Sequence, residues 1–208
     1  MAVRIVDHPL AQHLLRELRD ADTQPAAFRT AARKLATALM LEATADLPLK
    51  EQSVRTPLEE AEGRQLERPI VLVPILRAGL GLLEGTLDFF PEVRVGYIGL
   101  ERDEATFRAT EYYSKLPRLD DASVFVLDPM LATGGSAVAA LDAVKRAGAS
   151  WARMVCVVAA PEGVELLERN HPDVDVYTAA VDRELNDSAF ILPGLGDFGD
   201  RLFGTLDT

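Results

Sequence analysis

Residues 124–136 read VFVLDPMLATGGS and predict a strand, a loop and a helix in close succession. Val124–Leu127 is an apolar run typical of a buried strand, and the carboxylate of Asp128 ends it. The glycines of Thr133-Gly134-Gly135-Ser136 let backbone N–H groups turn toward one point, and the helical pattern that follows adds the positive end of a helix dipole. Because open α/β sheets bind ligands at the carboxyl ends of their strands, this stretch predicts a seat for a phosphate monoester beside Asp128.

A tight turn with a helix cap is the plainer interpretation of TGGS taken alone. The position of Asp128 favours a binding site, because an unpaired charge on a buried strand is costly. The loop is not a Walker A motif, since no lysine precedes Ser136 and the G-x-x-x-x-G-K spacing is missing.

Strand-like and helix-like segments alternate from residue 69 onward. The predicted strands are Pro69–Ile75, Val93–Leu100, Ser123–Leu127, Met154–Ala160 and Val174–Val181. The predicted helices are Leu80–Phe89, Ser136–Ala147 and Glu162–Asn170. The strands near residues 70, 124 and 155 are apolar throughout, as expected of parallel strands covered on both faces. The pattern predicts an α/β fold with a doubly wound, open, mostly parallel sheet flanked by helices.

We expect a single domain over residues 1–208 with distinct parts. Residues 1–68 predict N-terminal helices and an arm. One helix opens at His8-Pro9-Leu10 with Leu10 on its apolar face, a second follows Thr23, and Lys50–Arg68 forms a loop or a weak hairpin. Residues 69–182 form the α/β core, and residues 183–208, rich in Gly, Asp and Pro, form a loop-rich tail.

Composition and charge narrow the class of protein. Hydrophobic residues make up 48% of the 208 residues, which is ordinary globular usage. The net charge of −11 argues against long nucleic acids as partners but leaves small anionic metabolites open. The longest apolar run, Ile70–Leu76, is far shorter than the roughly 18 residues of a membrane span. With no secretory leader and one cysteine, Cys156, we expect a cytoplasmic enzyme or binding protein.

A second glycine segment follows another buried strand, where residues 73–81 read VPILRAGLG. Gly79 and Gly81 fit the start of a dinucleotide fingerprint, with Glu101 as a candidate ribose-binding acid, but Glu84 stands where the third glycine belongs. Arg77 favours another use, because a guanidinium beside exposed backbone N–H groups suits a diphosphate. Because Gly79 and Gly81 match part of the fingerprint, a nicotinamide-dependent dehydrogenase remains an alternative.

Several segments together resemble uracil phosphoribosyltransferase, a type I phosphoribosyltransferase. They are PILRAGLG at 74–81, DPMLATGGS at 128–136, APEG at 160–163 and PGLGD at 193–197, with support from Tyr112–Pro117 and His8–Leu10. The TGGS loop alone indicates only a phosphoribosyltransferase, whereas PGLGD is similar to the uracil-binding part of this branch. The resemblance implies transfer of ribose 5-phosphate from phosphoribosyl pyrophosphate (PRPP) to uracil, giving UMP and diphosphate, with Mg²⁺ as the cofactor. It also implies a homo-oligomer, dimer or tetramer, and in some members activation by GTP.

The resemblance assigns the chemistry to Asp128, Arg77 and Arg102. Asp128 would hold the ribose hydroxyls and offset positive charge that develops at the ring, and Arg77 would lie against the diphosphate. Arg102 would close over it from a mobile flap at about residues 101–118 that excludes water. The residues implied in PRPP binding are Arg77, Ala78, Gly79, Arg102, Asp128, Pro129, Met130, Leu131, Ala132, Thr133, Gly134, Gly135, Ser136 and Asp197.

Uracil recognition falls, by the same resemblance, on the main chain around Ile191, Gly196 and Phe198, with Asp197 facing both uracil and the donor or its Mg²⁺. The sequence departs from the family pattern at Phe198, where alanine is common, and at Glu101, where tyrosine is common. We interpret Asp200 as a turn residue.

A non-catalytic relative that senses nucleotides and binds RNA is the alternative from another class. Such a protein is expected to show a basic face, and the net charge of −11 without a Lys/Arg cluster argues against it. The histidines are not spaced as a metal set, and no general base for the uracil N1 proton can be named. We therefore expect positioning and electrostatics to supply most of the acceleration.

Overall fold

The computed structural model of the protein describes residues 1–102 and 109–205. The helices are α1 (Pro9–Arg19), α2 (Pro25–Ala43), α3 (Leu80–Phe89), α4 (Gly135–Arg146), α5 (Pro161–Asn170) and α6 (Phe198–Phe203). The strands are β1 (Val3–Ile5), β2 (Leu49–Arg55), β3 (Glu60–Leu66), β4 (Ile70–Leu76), β5 (Arg94–Val95), β6 (Tyr97–Arg102), β7 (Ala109–Lys115), β8 (Ser123–Leu127), β9 (Met130–Leu131), β10 (Ala152–Val155), β11 (Val158–Ala159), β12 (Asp175–Thr178), β13 (Ala180–Val181), β14 (Glu184–Leu185) and β15 (Ile191–Leu192). Within those ranges, none of the helices has the length and apolar character needed to cross a membrane.

The central sheet has the strand order β1-β12-β10-β8-β4-β6-β7, with β5 also paired to β4. Its pairs are parallel except for β6 with β7, which confirms the predicted open, mostly parallel sheet. From β4 the chain passes through α3 to β6 on one side, whereas from β8 it passes through α4 to β10 on the other. The direction of winding therefore reverses between β4 and β8, and in open α/β sheets such a reversal is where ligands bind.

Apolar clusters cover both faces of the sheet. Leu72 of β4 packs with buried side chains of α1, α2, α3 and α6, whereas its neighbours Val71 and Val73 pack with those of α4 and α5. Side chains of a strand alternate between faces, so a strand covered on both sides must be apolar throughout. This explains why the continuous apolar runs marked the central strands.

Some predicted strands are interrupted where they approach the carboxyl edge. The predicted strand Met154–Ala160 divides into β10 and β11, because Val157 and Val158 both donate their N–H to the carbonyl of Pro129, at 2.9 and 3.1 Å. Pro129 has no N–H to return, so the ladder shifts at this point. The small parallel sheet β13-β11-β9 continues beyond the break. The predicted strand Val93–Leu100 also divides, at Gly96, into β5 and β6.

The N-terminal part follows the prediction with one correction. The ring Nδ1 of His8 accepts from the N–H of Leu10 at 3.2 Å and caps α1, and α2 begins at Pro25. Leu10 was predicted on the apolar face of α1, but it is 66% exposed. The reason is that Leu10 lines an open groove of about 690 Å³ between α1 and α2. Residues 49–66 form the hairpin β2–β3, so of the two alternatives the hairpin is right.

The segment predicted as a polar flap, residues 101–118, has regular structure where it is described. Strands β6 and β7 pair antiparallel: Tyr97 lies opposite Lys115 at one end of the ladder, and Arg102 lies opposite Ala109 at the other. The ring of Tyr112 lies over Gly99. The polar stretch predicted as a flap thus includes strand β7, whose side chains are largely exposed and left no apolar signal in the sequence, and its closure over the site stays a prediction. Residues 103–108 and the side chain of Arg102 lie outside the described part, so the predicted closure by Arg102 stays a prediction.

Candidate active site

The loops that follow β4 and β8 leave the sheet side by side at the point where the winding reverses. Pro74 is in register with Leu127, so Arg77 and Asp128 both emerge at this edge. The peptide between Leu76 and Arg77 is cis. A Cβ on Gly79 would lie 2.7 Å from the backbone of Ile75, and the N–H of Gly79 donates to the carbonyl of Ile75 at 2.9 Å. Gly79 thus allows the turn to fold tightly, while its N–H, predicted to meet a diphosphate, binds the main chain.

A cavity of about 260 Å³ opens at this edge and brings together both predicted groups of binding residues. The predicted residues that line it are Ala78, Asp128, Met130, Ala132, Ser136, Ile191, Gly196, Asp197 and Phe198. These come from the loops after β4 and β8 and from the C-terminal tail. The tail therefore closes the crevice of the sheet, as expected of a site that holds two substrates together.

The phosphate loop predicted at residues 132–136 lies at the N-terminus of α4. Gly134 precedes the helix with φ of 83°, a left-handed conformation that glycine adopts readily. The first N–H groups of a helix have no partner within it and carry its partial positive charge, so the loop suits an anion. Within the loop before the helix, the N–H of Ala132 is not available to an anion, because it donates to the carbonyl of Met130 at 3.0 Å.

Helix α5 supports this loop from behind. A Cβ on Gly134 would lie 2.8 Å from the carbonyl oxygen of Gly163, and a Cβ on Gly163 would lie 2.8 Å from that of Leu131. The N–H of Ala160 also donates to the Leu131 carbonyl at 2.9 Å. The segment Ala160–Gly163 therefore packs against the phosphate loop, because its glycine lets the first turn of α5 touch the loop.

Asp128 is half-buried at the end of β8. Its N–H donates to the carbonyl of Val155 at 3.1 Å, and its Oδ1 lies 3.5 Å from the N–H of Met130. Asp128 lines the cavity, and its implied role at the ribose hydroxyls stays a prediction.

Arg77 lies beside the cavity. Its Nη2 is 3.5 Å from Oδ1 of Asp200, and its guanidinium lies 5.7 Å from the ring centre of Phe203. Asp200 was interpreted as a turn residue, but it belongs to the first turn of α6 and pairs with Arg77. Helix α6 was not predicted, although Asp197 as its N-cap and Gly204 at its C-terminus are recognisable end signals.

The sequence reasoning also missed cavity residues between β14 and β15, namely Ser188, Ala189 and Phe190, as well as Gly199 of α6. Oδ1 of Asn186 accepts from the N–H groups of Ser188 and Phe190 at 3.0 and 2.9 Å, which fixes the loop over the cavity. Asparagine followed by Asp and Ser between apolar residues is a turn signal that could have indicated this loop.

The ring of Phe198 packs in the core. Phe198 is 1% exposed, and its ring lies edge-on to that of Phe28 with 5.0 Å between centroids. A Cβ on Gly81 would lie 2.9 Å from Cε1 of Phe198, and one on Gly85 would meet the backbone of Arg33. Gly81, which was considered for a dinucleotide fingerprint, therefore serves helix packing, as Gly85 does.

Other predicted residues lie near the cavity without lining it. Pro129, Leu131 and Gly134 are buried under the loop, and Thr133 and Gly135 are half-buried. Burial raises the pKa of the Cys156 thiol to about 12, so this cysteine is not a nucleophile near neutral pH. Among residues 1–102 and 109–205, no three His, Cys, Asp or Glu side chains gather as a metal site.

The chain is similar throughout to one family. The sequence profile described as uracil phosphoribosyltransferase matches residues 5–205. The uracil phosphoribosyltransferase of Dictyoglomus turgidum is 51% identical over 205 residues, 98% of this chain and 99% of that protein. That of Symbiobacterium thermophilum is 52% identical over 205 residues, 98% of each.

Solved structures agree with this. The AQ2163 protein from Aquifex aeolicus superposes with a TM-score of 0.95 at 40% identity, covering 99% of this chain and 100% of its own. The hypoxanthine phosphoribosyltransferase from Trypanosoma cruzi superposes with a TM-score of 0.51 at 13% identity over 78% of this chain and 76% of its own, and so shares the fold.

Proposed function

This chain belongs to the uracil phosphoribosyltransferase family, and we propose that it transfers the 5-phosphoribosyl group of PRPP to uracil, giving UMP and diphosphate. The observation that carries the proposal is the single cavity that joins the phosphate loop, Asp128 and the C-terminal tail. In the reaction, the bond between ribose C1 and the diphosphate oxygen breaks. A bond from C1 to uracil N1 forms, and the N1 proton is lost.

The 5-phosphate of the donor would bind the loop at residues 132–136. Support comes from the helix N-terminus of α4 and from the hydroxyl of Ser136, which lines the cavity. Asp128, on the adjacent strand end, would accept hydrogen bonds from the ribose hydroxyls. Its negative charge would then lie beside the ribose ring as positive charge develops there, which lowers the barrier.

The diphosphate would bind Arg77 in exchange for Asp200. The Arg77 side chain is 60% exposed, and an exposed ion pair contributes little stability, so the guanidinium is available to an anion of higher charge. We include the predicted closure by Arg102 in this proposal. Its role would be to exclude water, which would otherwise hydrolyse the donor at C1.

We propose Mg²⁺ as the cofactor, held mainly by the donor. Mg²⁺ in proteins is commonly bound by one or two carboxylates together with substrate phosphates, and the cavity offers Asp197 on the side of the tail. When bound, the ion would neutralise charge on the diphosphate. Asp197 would orient the donor complex from the tail side, while its own Oδ1 accepts from the N–H of Asp200 at 2.8 Å.

Uracil would be recognised by main-chain groups of the tail. Gly196 and Asp197 are exposed toward the cavity, and Ile191 and Phe198 are buried beside it. Fixed backbone donors and acceptors distinguish uracil from cytosine, because the two bases present opposite groups at the 4-position.

The finer assignments that rest on the family resemblance are a homo-oligomer, activation by GTP and a cytoplasmic location.

The test is incorporation of radiolabelled base with PRPP and Mg²⁺. Parallel reactions with uracil, cytosine and xanthine are expected to yield labelled UMP and no labelled nucleotide from the other bases. Chelation of Mg²⁺ is expected to stop the reaction. Label in a xanthine or cytosine nucleotide, with none in UMP, would contradict the proposed function, as would tight, salt-sensitive retention of pyrimidine-operon leader RNA without turnover.

A further inference from the structure

A buried ion pair joins the end of α1 to the end of β13. Nη1 of Arg19 lies 2.8 Å from Oδ2 of Asp182, and Nη2 lies 2.6 Å from Oδ1. The Asp182 side chain is 5% exposed and that of Arg19 26%. Two parallel N–H···O bonds of this kind fix the orientation of both groups, which is the geometric advantage of arginine over lysine.

The same pair holds both polar groups of Gly194. Arg19 Nη1 donates to the Gly194 carbonyl at 2.8 Å, and the Gly194 N–H donates to Asp182 Oδ2 at 2.9 Å. Gly194 is buried and has a φ of 58°, a conformation that glycine adopts readily. Because glycine has no side chain, only main-chain contacts can fix its position. Its position is therefore set by Arg19 and Asp182.

A second arginine fixes the next residue to the same helix end. Arg201 Nη1 donates to the Leu195 carbonyl at 2.7 Å and also to the carbonyl of Leu18, and its Nη2 donates to that of Asp20 at 2.5 Å. The guanidinium lies 4.5 Å from the ring centre of Phe28. The residues just before Gly196 are thus tied to the C-terminal end of α1.

We propose that Arg19 and Asp182 are positioning residues for base recognition. They fix Gly194 so that the main-chain groups of Gly196 and Asp197 meet uracil at the right distance and angle. This inference rests on the proposed function. A buried ion pair is a poor source of net stability compared with apolar packing, so its presence here is better explained by the geometry that it imposes on the loop.

The chain contains a matched control at the opposite edge of the sheet. Arg153, at the amino end of β10, forms the same two-point pair with Asp46, at 2.5 and 2.7 Å, and donates to the carbonyl of Ala43 at 2.6 Å. It joins α2 to the sheet, and within the described part of the chain its hydrogen bonds run to Ala43 and Asp46 rather than to the cavity loops. Loss of this pair is expected to affect stability alone.

The experiment compares Arg19→Met, Arg19→Lys, Asp182→Asn and Arg153→Met with the wild-type chain. Steady-state kinetics give KM for uracil, KM for PRPP and kcat, and calorimetry gives the affinities for UMP and for ribose 5-phosphate, which lacks the base. We expect Arg19→Met and Asp182→Asn to raise KM for uracil about tenfold or more and to weaken UMP binding similarly. KM for PRPP and the affinity for ribose 5-phosphate are expected to change less than about twofold.

The remaining variants separate positioning from stability. Arg19→Lys keeps the charge without the fork and is expected to restore part of the uracil KM. Arg153→Met is expected to lower the unfolding midpoint with KM values unchanged. A folded Arg19→Met or Asp182→Asn with the wild-type KM for uracil would overturn the inference, as would equal losses for UMP and ribose 5-phosphate. Failure of the wild-type chain to form UMP would instead refute the proposed function.

Discussion

Replacing Gly163 by alanine would press a methyl group into the main chain of the predicted phosphate loop. The new Cβ would lie 2.8 Å from the carbonyl oxygen of Leu131 and closer still to that of Ala132. Both obstacles are backbone atoms that cannot rotate away, so the loop or the start of α5 has to move by roughly half an ångström or more to restore ordinary contact. Misplacement of about 1 Å can cost about 100-fold in rate, so we expect a loss of roughly tenfold for this smaller shift.

The assay is the steady-state reaction of PRPP with uracil, with the free energy of unfolding measured beside it. Because the loop is predicted to hold the 5-phosphate, the loss is expected in KM for PRPP rather than in KM for uracil. Overpacking of this kind also costs about 1–3 kcal/mol of stability, partly offset by the better helix propensity of alanine. Glu165→Ala, on the exposed side of α5, is the control and is expected to leave the KM for PRPP and the free energy of unfolding unchanged. A folded Gly163→Ala with the wild-type KM for PRPP would refute the assignment of the loop.

Asp128→Asn is expected to keep the fold and the KM for PRPP but to lower kcat about 100-fold or more, because the charge beside the ribose is lost; a wild-type kcat would contradict its role. The Arg153 guanidinium lowers the pKa of Asp46 by hydrogen bonding, so the pair stabilises the fold above the unfolded-state pKa of about 4, and this contribution is lost as pH falls through the folded pKa. Denaturant unfolding at pH 6 and pH 3 is therefore expected to show a smaller pH dependence for Asp46→Asn than for the wild-type chain. Burial raises the pKa of the Cys156 thiol to about 12, so an aromatic disulfide reagent at about pH 8 is expected to label only denatured protein, and rapid labelling of the native chain would show that the strand opens.

The central strands and the helices that cover them could be predicted because their signals are local. The limits of β8 and α3 agree with the predictions Ser123–Leu127 and Leu80–Phe89, since a continuous apolar run and a helical period each have recognisable ends. The break after β10 could not, because it arises from the carbonyl of Pro129, which accepts two hydrogen bonds from Val157 and Val158. Nothing within residues 154–160 indicates this contact.

The residues of the candidate site could likewise be predicted where a motif contains them, and not where contacts between distant residues support them. Motifs placed Asp128, Ala132, Ser136 and the tail residues in one cavity, because each motif lies at a strand end or in the tail. The contacts that support these groups join residues far apart in sequence, as Arg19 and Asp182 do, and leave no periodic or motif signal. Asp200 shows the consequence, since its turn-like surroundings were recognised while its pairing with Arg77 was not.

Phe198 shows how a departure from the family pattern can leave the site intact. The family commonly has alanine at this position, and a phenyl ring turned into the cavity would narrow the space for a base. Here the ring is buried between Phe28 and Gly81, and a Cβ on Gly81 would lie within 2.9 Å of it. The space that the ring needs is provided by a glycine on α3, on the core side of the tail. The residue therefore presents its main chain beside the cavity as alanine would, and in our proposal discrimination between bases depends on how firmly the preceding residues are held.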